Sequence, residues 1–437
     1  METLVAGLFL VVLAFLGSPL FSIIGAIALL AFHAAGIDTS AIIVELYRLT
    51  SAPALVAIPL FTFAGYMLAE SGTPKRLVAL SQACFGWIPG GLAIVALVCC
   101  AIFTAFTGAS GVTIVALGGL LYPVLINEKY SEKFSLGLLT TSGSLGLLFP
   151  PSLPLILYSM VASNARSTGG NVPDVSVDKL FVAGIVPGIL LVTVLAAYSI
   201  RQGMKSKVVK IPFAWSNVGA ALRNAAWEIP LPFLIIGGIY GGLFTATEAA
   251  AVTAFYVFIV EVFVYRDLKL FRDVPKIMQE SMVLVGAIIV ILACAMGLTN
   301  YLIDEEVPMK LFAFIQQYIS SGAIFLILLN IFLLIVGMMM DVFSAIIVVV
   351  PLIIPIASAY AINPVHLGII FLTNLEIGYL TPPVGLNLFI SSFRFEKPVA
   401  TVVRATLPYI GILLIALAII TYVPDLSLGL LNILGLR

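Results

Sequence analysis

Four stretches decide the fold: GASGVTIVALGGLLYP (108–123) with FSLGLLTTSGSLGLLFPPS (134–152), and MMMDVFSAIIVVVPLIIP (338–355) with VHLGIIFLTNLEIGYLTPPV (365–384). The second pair repeats the first about 231 residues further on. Pro150-Pro151 matches Pro382-Pro383, Gly146 matches Gly378, Pro123 matches Pro355, and Leu136-Gly137 matches Leu367-Gly368. Each double proline interrupts an otherwise apolar run. Proline removes an amide donor and glycine loosens the helix, so both segments read as helices broken near their centres.

The surroundings say what kind of chain this is. It is 62% hydrophobic and only 10% charged, with a mean hydropathy of +1.19. A soluble domain is about half apolar. Apolar runs recur at roughly 4–16, 20–34, 53–70, 91–126, 134–162, 180–200, 229–243, 246–265, 281–302, 323–356, 366–393 and 405–433. The pattern predicts an all-α polytopic membrane protein. The start lacks a basic n-region and reads as a retained first membrane helix. Net charge is zero and no long basic run exists, which disfavours nucleic acid as a partner. Cys84, Cys99, Cys100 and Cys294 have no zinc or redox spacing and read as packing residues. His33 and His366 form no HExxH, so a membrane metalloprotease has little support.

Segments 91–126 and 323–356 are too long for one crossing and carry polar or Gly breaks. Irregular backbone at that depth is tolerated only when buried in protein or lining a wet cavity. Both read as re-entrant hairpins, leaving about ten transmembrane helices, five per half. Laying loops on alternate sides puts 16 Lys/Arg on one side and five on the other, so the first side is cytoplasmic. Both termini then face the periplasm. An odd number of crossings inverts the second half relative to the first. The expected organisation is a first inverted repeat over 1–205, a cytoplasmic linker over 206–228 and a second repeat over 229–437. Stretches 73–91 and 307–322, and 37–53 and 266–281, read as paired helices along the membrane surface, with Trp87 at an interface.

Paired Gly/Pro-interrupted segments in two halves point to the binding site of a transporter. Broken helices free carbonyls that can hold a monovalent cation, and their half-helix N-termini offer amides to a carboxylate. Thr107, Ser110, Thr141, Ser142 and Ser144 add hydroxyls in the first half, as do Thr373, Asn374 and Thr381 in the second. Charges within apolar segments are costly and single out Glu248, Asp341 and Glu376. Thr245-x-x-Glu248 is a capping box, and a helix start accounts for it. Asp341, at the tip of the second hairpin opposite Ser110, reads as a ligand for a hard cation or as a helix cap. Glu376 either faces the substrate or pairs with a backbone amide.

These motifs, with GGIYGGLFTATEAAAV and NLEIGYLTPPVGLNLF, resemble the large membrane subunit of TRAP (tripartite ATP-independent periplasmic) transporters over nearly the whole chain. The resemblance implies a secondary transporter of the bacterial inner membrane, without catalytic residues or a cofactor. Na⁺ would be the coupling ion and the substrate an organic acid: a C4-dicarboxylate, sialic acid, keto acid or sugar acid. It also implies a small four-helix membrane subunit, a periplasmic binding protein and an elevator motion of 91–162 and 323–393 within the lipid bilayer. One Na⁺ site would use Thr107, Ser110, Gly146, Phe149 and Pro150. The other would use Gly337, Asp341, Gly378 and Thr381. Substrate would lie between the breaks, near Thr141, Ser142, Ser144, Thr373, Asn374 and Glu376. No arginine falls within the expected mobile segments, so backbone amides and hydroxyls would hold a carboxylate. A stand-alone cation-coupled carboxylate carrier is the alternative. A membrane-embedded enzyme has less support, because no Ser–His or paired His cluster sits in the apolar segments.

Overall fold

The computed structural model describes residues 20–36, 53–88, 90–166, 175–205, 214–241, 243–319 and 321–436, with Leu13, Ser18, Asp38, Ser40, Ile43, Val44 and Tyr47. Most of the expected first crossing at 4–16 and most of the expected surface helix at 37–53 lie outside these residues. The described residues contain no strand. They form nineteen labelled helices and one short 3-10 turn, Leu145–Leu148, between the sixth and the seventh.

In chain order these are α1 (Leu20–Ala34), α2 (Pro53–Glu70), α3 (Thr73–Phe85), α4 (Gly91–Thr107), α5 (Ser110–Asn127), α6 (Glu132–Ser142), α7 (Leu153–Arg166) and α8 (Val177–Lys205). There follow α9 (Trp215–Asn224), α10 (Pro230–Tyr240), α11 (Ala246–Val264) and α12 (Asp273–Asp304). Last come α13 (Val307–Tyr318), α14 (Gly322–Met339), α15 (Val342–Ala359), α16 (Pro364–Gly378), α17 (Leu386–Arg394), α18 (Val399–Tyr422) and α19 (Asp425–Ile433). By length and composition seven helices can cross a membrane, or nine if each of two bent pairs is one span. Those pairs are α2 with α3, bent by 73°, and α6 with α7, bent by 45°.

Both long apolar segments fold as helix–tip–helix hairpins, α4–α5 and α14–α15, with limits close to those expected. Gly108, at φ +65°, turns the first tip. The extended backbone of Met340 and Asp341 turns the second. Both double prolines carry a cis bond between half-helices.

Two expected boundaries are corrected. The charged stretch 266–281 is not a separate surface helix, because 273–281 form the first turns of α12. Asp273 Oδ2 accepts the Lys269 amide at 2.9 Å at this start, and Lys276–Glu280 pair at 3.6 Å along the helix. The run 405–433 is not one crossing either. The helix stops at Tyr422, where Val423 precedes Pro424 and leaves the helical backbone region. Within the linker, 206–213 lie outside the described residues and 215–224 form α9.

The helices pack in two groups. α1, α2, α10, α11 and α12 form one group, in which α2 lies along α11 and α12 along α1. The hairpins, broken helices, α8 and α18 form the other. Each hairpin's first arm packs on its own half's break: α4 on the turn after α6, and α14 on α16. Its second arm packs on the other half: α15 on α7, and α5 on α17. The halves therefore interlock crosswise. Close backbone approach at glycines makes this possible, as small residues allow inside membranes.

Arg76 joins the first half to the second away from the hairpins. Its guanidinium meets Glu228, Glu261 at 3.1 Å and Asp267 at 2.6 Å, and lies 3.8 Å over the Tyr265 ring. Glu261 also accepts the Thr73 hydroxyl at 2.9 Å. Arginine's planar fork suits such a multiple partnership better than lysine's single ammonium.

Candidate functional site

The site is built where hairpin tips meet breaks. At the first, Gly146 lies directly on α4: a Cβ there would stand 2.3 Å from the Ala101 carbonyl oxygen and 2.4 Å from the Ala105 nitrogen. A Cβ on Gly143 would stand 2.5 Å from Ile114 and 3.3 Å from the Ser110 carbonyl oxygen. The structure thus brings Ser110 beside the first break and seats Gly146 on α4. Thr104, which sequence reasoning did not single out, pairs with the Thr113 hydroxyl at 2.7 Å and donates to the Gly143 carbonyl at 2.9 Å. The Thr107 hydroxyl reaches only the Ala109 carbonyl, at 3.5 Å. Phe149 is extended, and its ring packs on Gly188 of α8. Pro150, beside it, is buried.

At the end of α6 and just beyond it, Ser142 and Ser144 turn their hydroxyls back to the Leu139 and Thr141 carbonyls, each at 3.3 Å. The buried hydroxyls of Thr140 and Thr141 have no partner among the described residues. Buried polar atoms are normally satisfied, so Thr141 keeps its place among candidate ligands.

At the second assembly α14 and α16 touch backbone to backbone. A Cβ on Gly378 would stand 2.5 Å from the Gly337 carbonyl carbon, and the Gly385 amide donates to the Met338 carbonyl at 3.0 Å. Gly337 and Gly378 are therefore neighbours, as the expected site requires. Asp341 caps α15: its Oδ1 accepts the Phe343 and Ser344 amides at 3.0 Å each, and its Oδ2 accepts the Ser344 hydroxyl. The residue is exposed, and a carboxylate has lone pairs beyond these three bonds. The capping and cation-binding readings are thus compatible. Thr381 donates to the Ile377 carbonyl at 2.9 Å.

Three expected substrate residues lie deeper. Thr373 bonds back to the Ile369 carbonyl at 2.7 Å. Asn374 donates to Asn330 of α14 at 2.7 Å, and Asn330 donates to Thr421 of α18 at 3.1 Å. Glu376 is buried, with neither oxygen partnered among the described residues. It pairs with no backbone amide, so that expectation is corrected. A buried carboxyl without partners is costly to keep. Glu248 completes its capping box with Thr245, and all four cysteines are free.

The sequence predicts α17 as the second half of the broken segment 366–393, but singles out none of its residues. Its Asn387 is fully buried, accepts the Ser110 hydroxyl at 2.8 Å and donates to the Thr140 carbonyl at 3.3 Å. One turn on, Ile390 covers Gly111, and Arg394 donates to the Val115 carbonyl at 2.9 Å across Gly119. Arg394 lies one residue beyond the segment in which no arginine was expected, so a guanidinium does reach the first hairpin. The glycines at 111, 118 and 119 were a visible signal of a close-packed arm, but not of its partner.

Comparison with known proteins now supplies a family. A family model described as "Tripartite ATP-independent periplasmic transporter, DctM component" matches residues 7–426. The C4-dicarboxylate TRAP transporter large permease protein DctM of Pseudomonas aeruginosa is 38% identical over 413 residues, covering 94% of this chain and 93% of that one. The isethionate TRAP transporter permease protein DctMQ of Oleidesulfovibrio alaskensis is 34% identical over 380 residues, or 86% of this chain and 57% of that protein. Among solved structures, the Alcanivorax borkumensis YdaH transporter superposes with a TM-score of 0.62 at 14% identity, covering 87% of this chain and 86% of that one, a likeness of fold alone. The chain belongs to the DctM-component family of TRAP transporters: it is a large, multi-pass permease of a secondary transporter and not an enzyme.

Proposed function

We propose that this chain is the cation-coupled permease of a TRAP system that imports an organic anion across the bacterial inner membrane. A periplasmic binding protein delivers the substrate, and a small membrane subunit sits beside the large one. The names of two relatives support this substrate class. One carries C4-dicarboxylates and another isethionate, both small organic acids. The name DctMQ on a longer chain, of which only 57% is matched, suits a large and a small subunit joined in one polypeptide.

The observation that carries the coupling is the pairing of each hairpin tip with a glycine-bearing break. Gly146 on α4 and Gly378 against Gly337 put tip hydroxyls or carboxylate beside interrupted backbone. Such oxygen-rich surroundings suit Na⁺, with Thr107, Ser110, Gly146, Phe149 and Pro150 around one ion and Gly337, Asp341, Gly378 and Thr381 around the other. The anion then lies between the breaks, near Thr141, Ser142, Ser144, Thr373, Asn374 and Glu376. Crosswise interlocking of the hairpins supports transport by an elevator movement of 91–162 and 323–393 as one body. The two halves are read as inverted repeats, with both termini periplasmic.

The test is uptake into proteoliposomes holding both membrane subunits, with the binding protein and labelled substrate outside. An inward Na⁺ gradient is expected to drive accumulation, and Asp341→Ala to abolish it while the chain still inserts. Wild-type uptake by Asp341→Ala with unchanged Na⁺ dependence would remove Asp341 from the ion site. Equal uptake without the binding protein would favour a stand-alone carrier.

A further inference from the structure

Asn387 belongs to no expected ion or substrate site, yet it is hydrogen-bonded on three sides in full burial. Its carbonyl oxygen accepts the Ser110 hydroxyl of the first tip, and its side-chain amide donates to the Thr140 carbonyl of α6. Its backbone amide reaches back across the second break to the Tyr379 carbonyl, at 3.2 Å. The Tyr379 hydroxyl in turn accepts the Val342 amide, next to Asp341 at the second tip. A continuous path therefore runs from tip one to tip two through two residues, each no more than 2% exposed. At the same offset from the first double proline stands Leu155, whose side chain can neither donate nor accept a hydrogen bond. The connection is built once, not twice.

We propose that Asn387 and Tyr379 are positioning residues that couple the two hairpin tips, so that the state of one tip sets the geometry of the other. As a coupling of ion sites this rests on the cation reading above, whereas the mechanical link between the tips does not. Low surrounding polarity strengthens hydrogen bonds in such a path and makes a missing partner costly. Coupling is a response of one tip to a change at the other, and the labelling cycle measures it.

The readout is thiol labelling at the second tip. Met340→Cys is placed in a background whose four native cysteines are replaced, in the full complex. Asn387→Ala and Tyr379→Phe are each expected to change the labelling rate at least about threefold, and the double variant to change it no further. Rates unaffected by either substitution, or effects that simply multiply, overturn the link. If Asn387→Ala fails to insert, Ser110→Ala with Tyr379→Phe gives the same cycle with the same two outcomes. In uptake, Asn387→Ala and Tyr379→Phe are expected to flatten the Na⁺ dependence while leaving the substrate KM at saturating Na⁺ unchanged. An unchanged steepness would overturn the coupling of ion sites. If wild-type uptake ignores Na⁺ altogether, the cation reading fails, and the labelling cycle still decides the link.

Discussion

At the first break Pro150, Pro151 and Ser152 are all buried; at the second Pro382, Pro383 and Val384 all lie exposed. The motif is the same and the environment is opposite. What covers the first is α8, whose Gly184 stands against the Leu148 carbonyl and whose Gly188 receives the Phe149 ring. In the second half α18 leans on α6, where Gly137 meets the Ala405 carbonyl, and touches α14 through Asn330. Nearly every residue of α4 is buried, whereas α14 turns Ile324, Ile327, Leu328, Ile331, Phe332 and Ile335 outward. An apolar outward face costs nothing in lipid, which is as apolar as leucine. One break is thus walled in by its own half, and the other stands open beside a greasy arm. Symmetry of sequence does not carry over to symmetry of access.

The largest effect should fall on the walled side. Gly146→Val would drive a side chain into α4 backbone at 2.3–2.4 Å. Backbone cannot step aside, so a loss of about 3 kcal/mol in stability is expected, the upper range for overpacking. It would be read as a lowered Tm of the detergent-purified chain, and a wild-type Tm would show that the wall is not rigid. Next comes Asp341→Ala on the open side. Losing the cap costs about 1 kcal/mol, yet uptake should vanish. A Tm drop that large with uptake intact would reduce Asp341 to a cap. Smaller still is a difference in reach. A cysteine at Val384, 43% exposed, should label readily, and one at Ser152 should not. Equal rates would erase the comparison. Least of all, Lys397→Ala, which removes the surface partner of Glu132, should leave uptake unchanged.

Much of this was legible in the sequence. Repeated Gly and Pro placed the hairpins and breaks to within a few residues, because those residue types act locally on the backbone. The Thr245–Glu248 box was equally local. What escaped reading depends on distant partners. Asn387 looks like one polar residue in an amphipathic turn, and its meaning comes from Ser110, 277 residues away. Arg394 fell one residue outside the expected segment, and its target is a carbonyl in a π turn at Ile114–Gly118. The Arg76 cluster likewise gathers Glu228, Glu261 and Asp267, all more than 150 residues away. The continuity of 273–281 with the span that follows was missed because its charges suggested a separate surface helix, although propensity and an i,i+4 pair carry one helix through them.

The crosswise packing of arms has a consequence for how the chain is made. Hairpin one leaves the ribosome early, but the α17 that closes over Ser110 and Gly111 emerges more than 270 residues later. At ordinary synthesis rates that interval is on the order of tens of seconds. Throughout it, α5 sits in the nascent bilayer with its glycine seam uncovered. A chain stalled halfway would therefore carry an intact hairpin without its lid, and each half is matured by the arrival of the other.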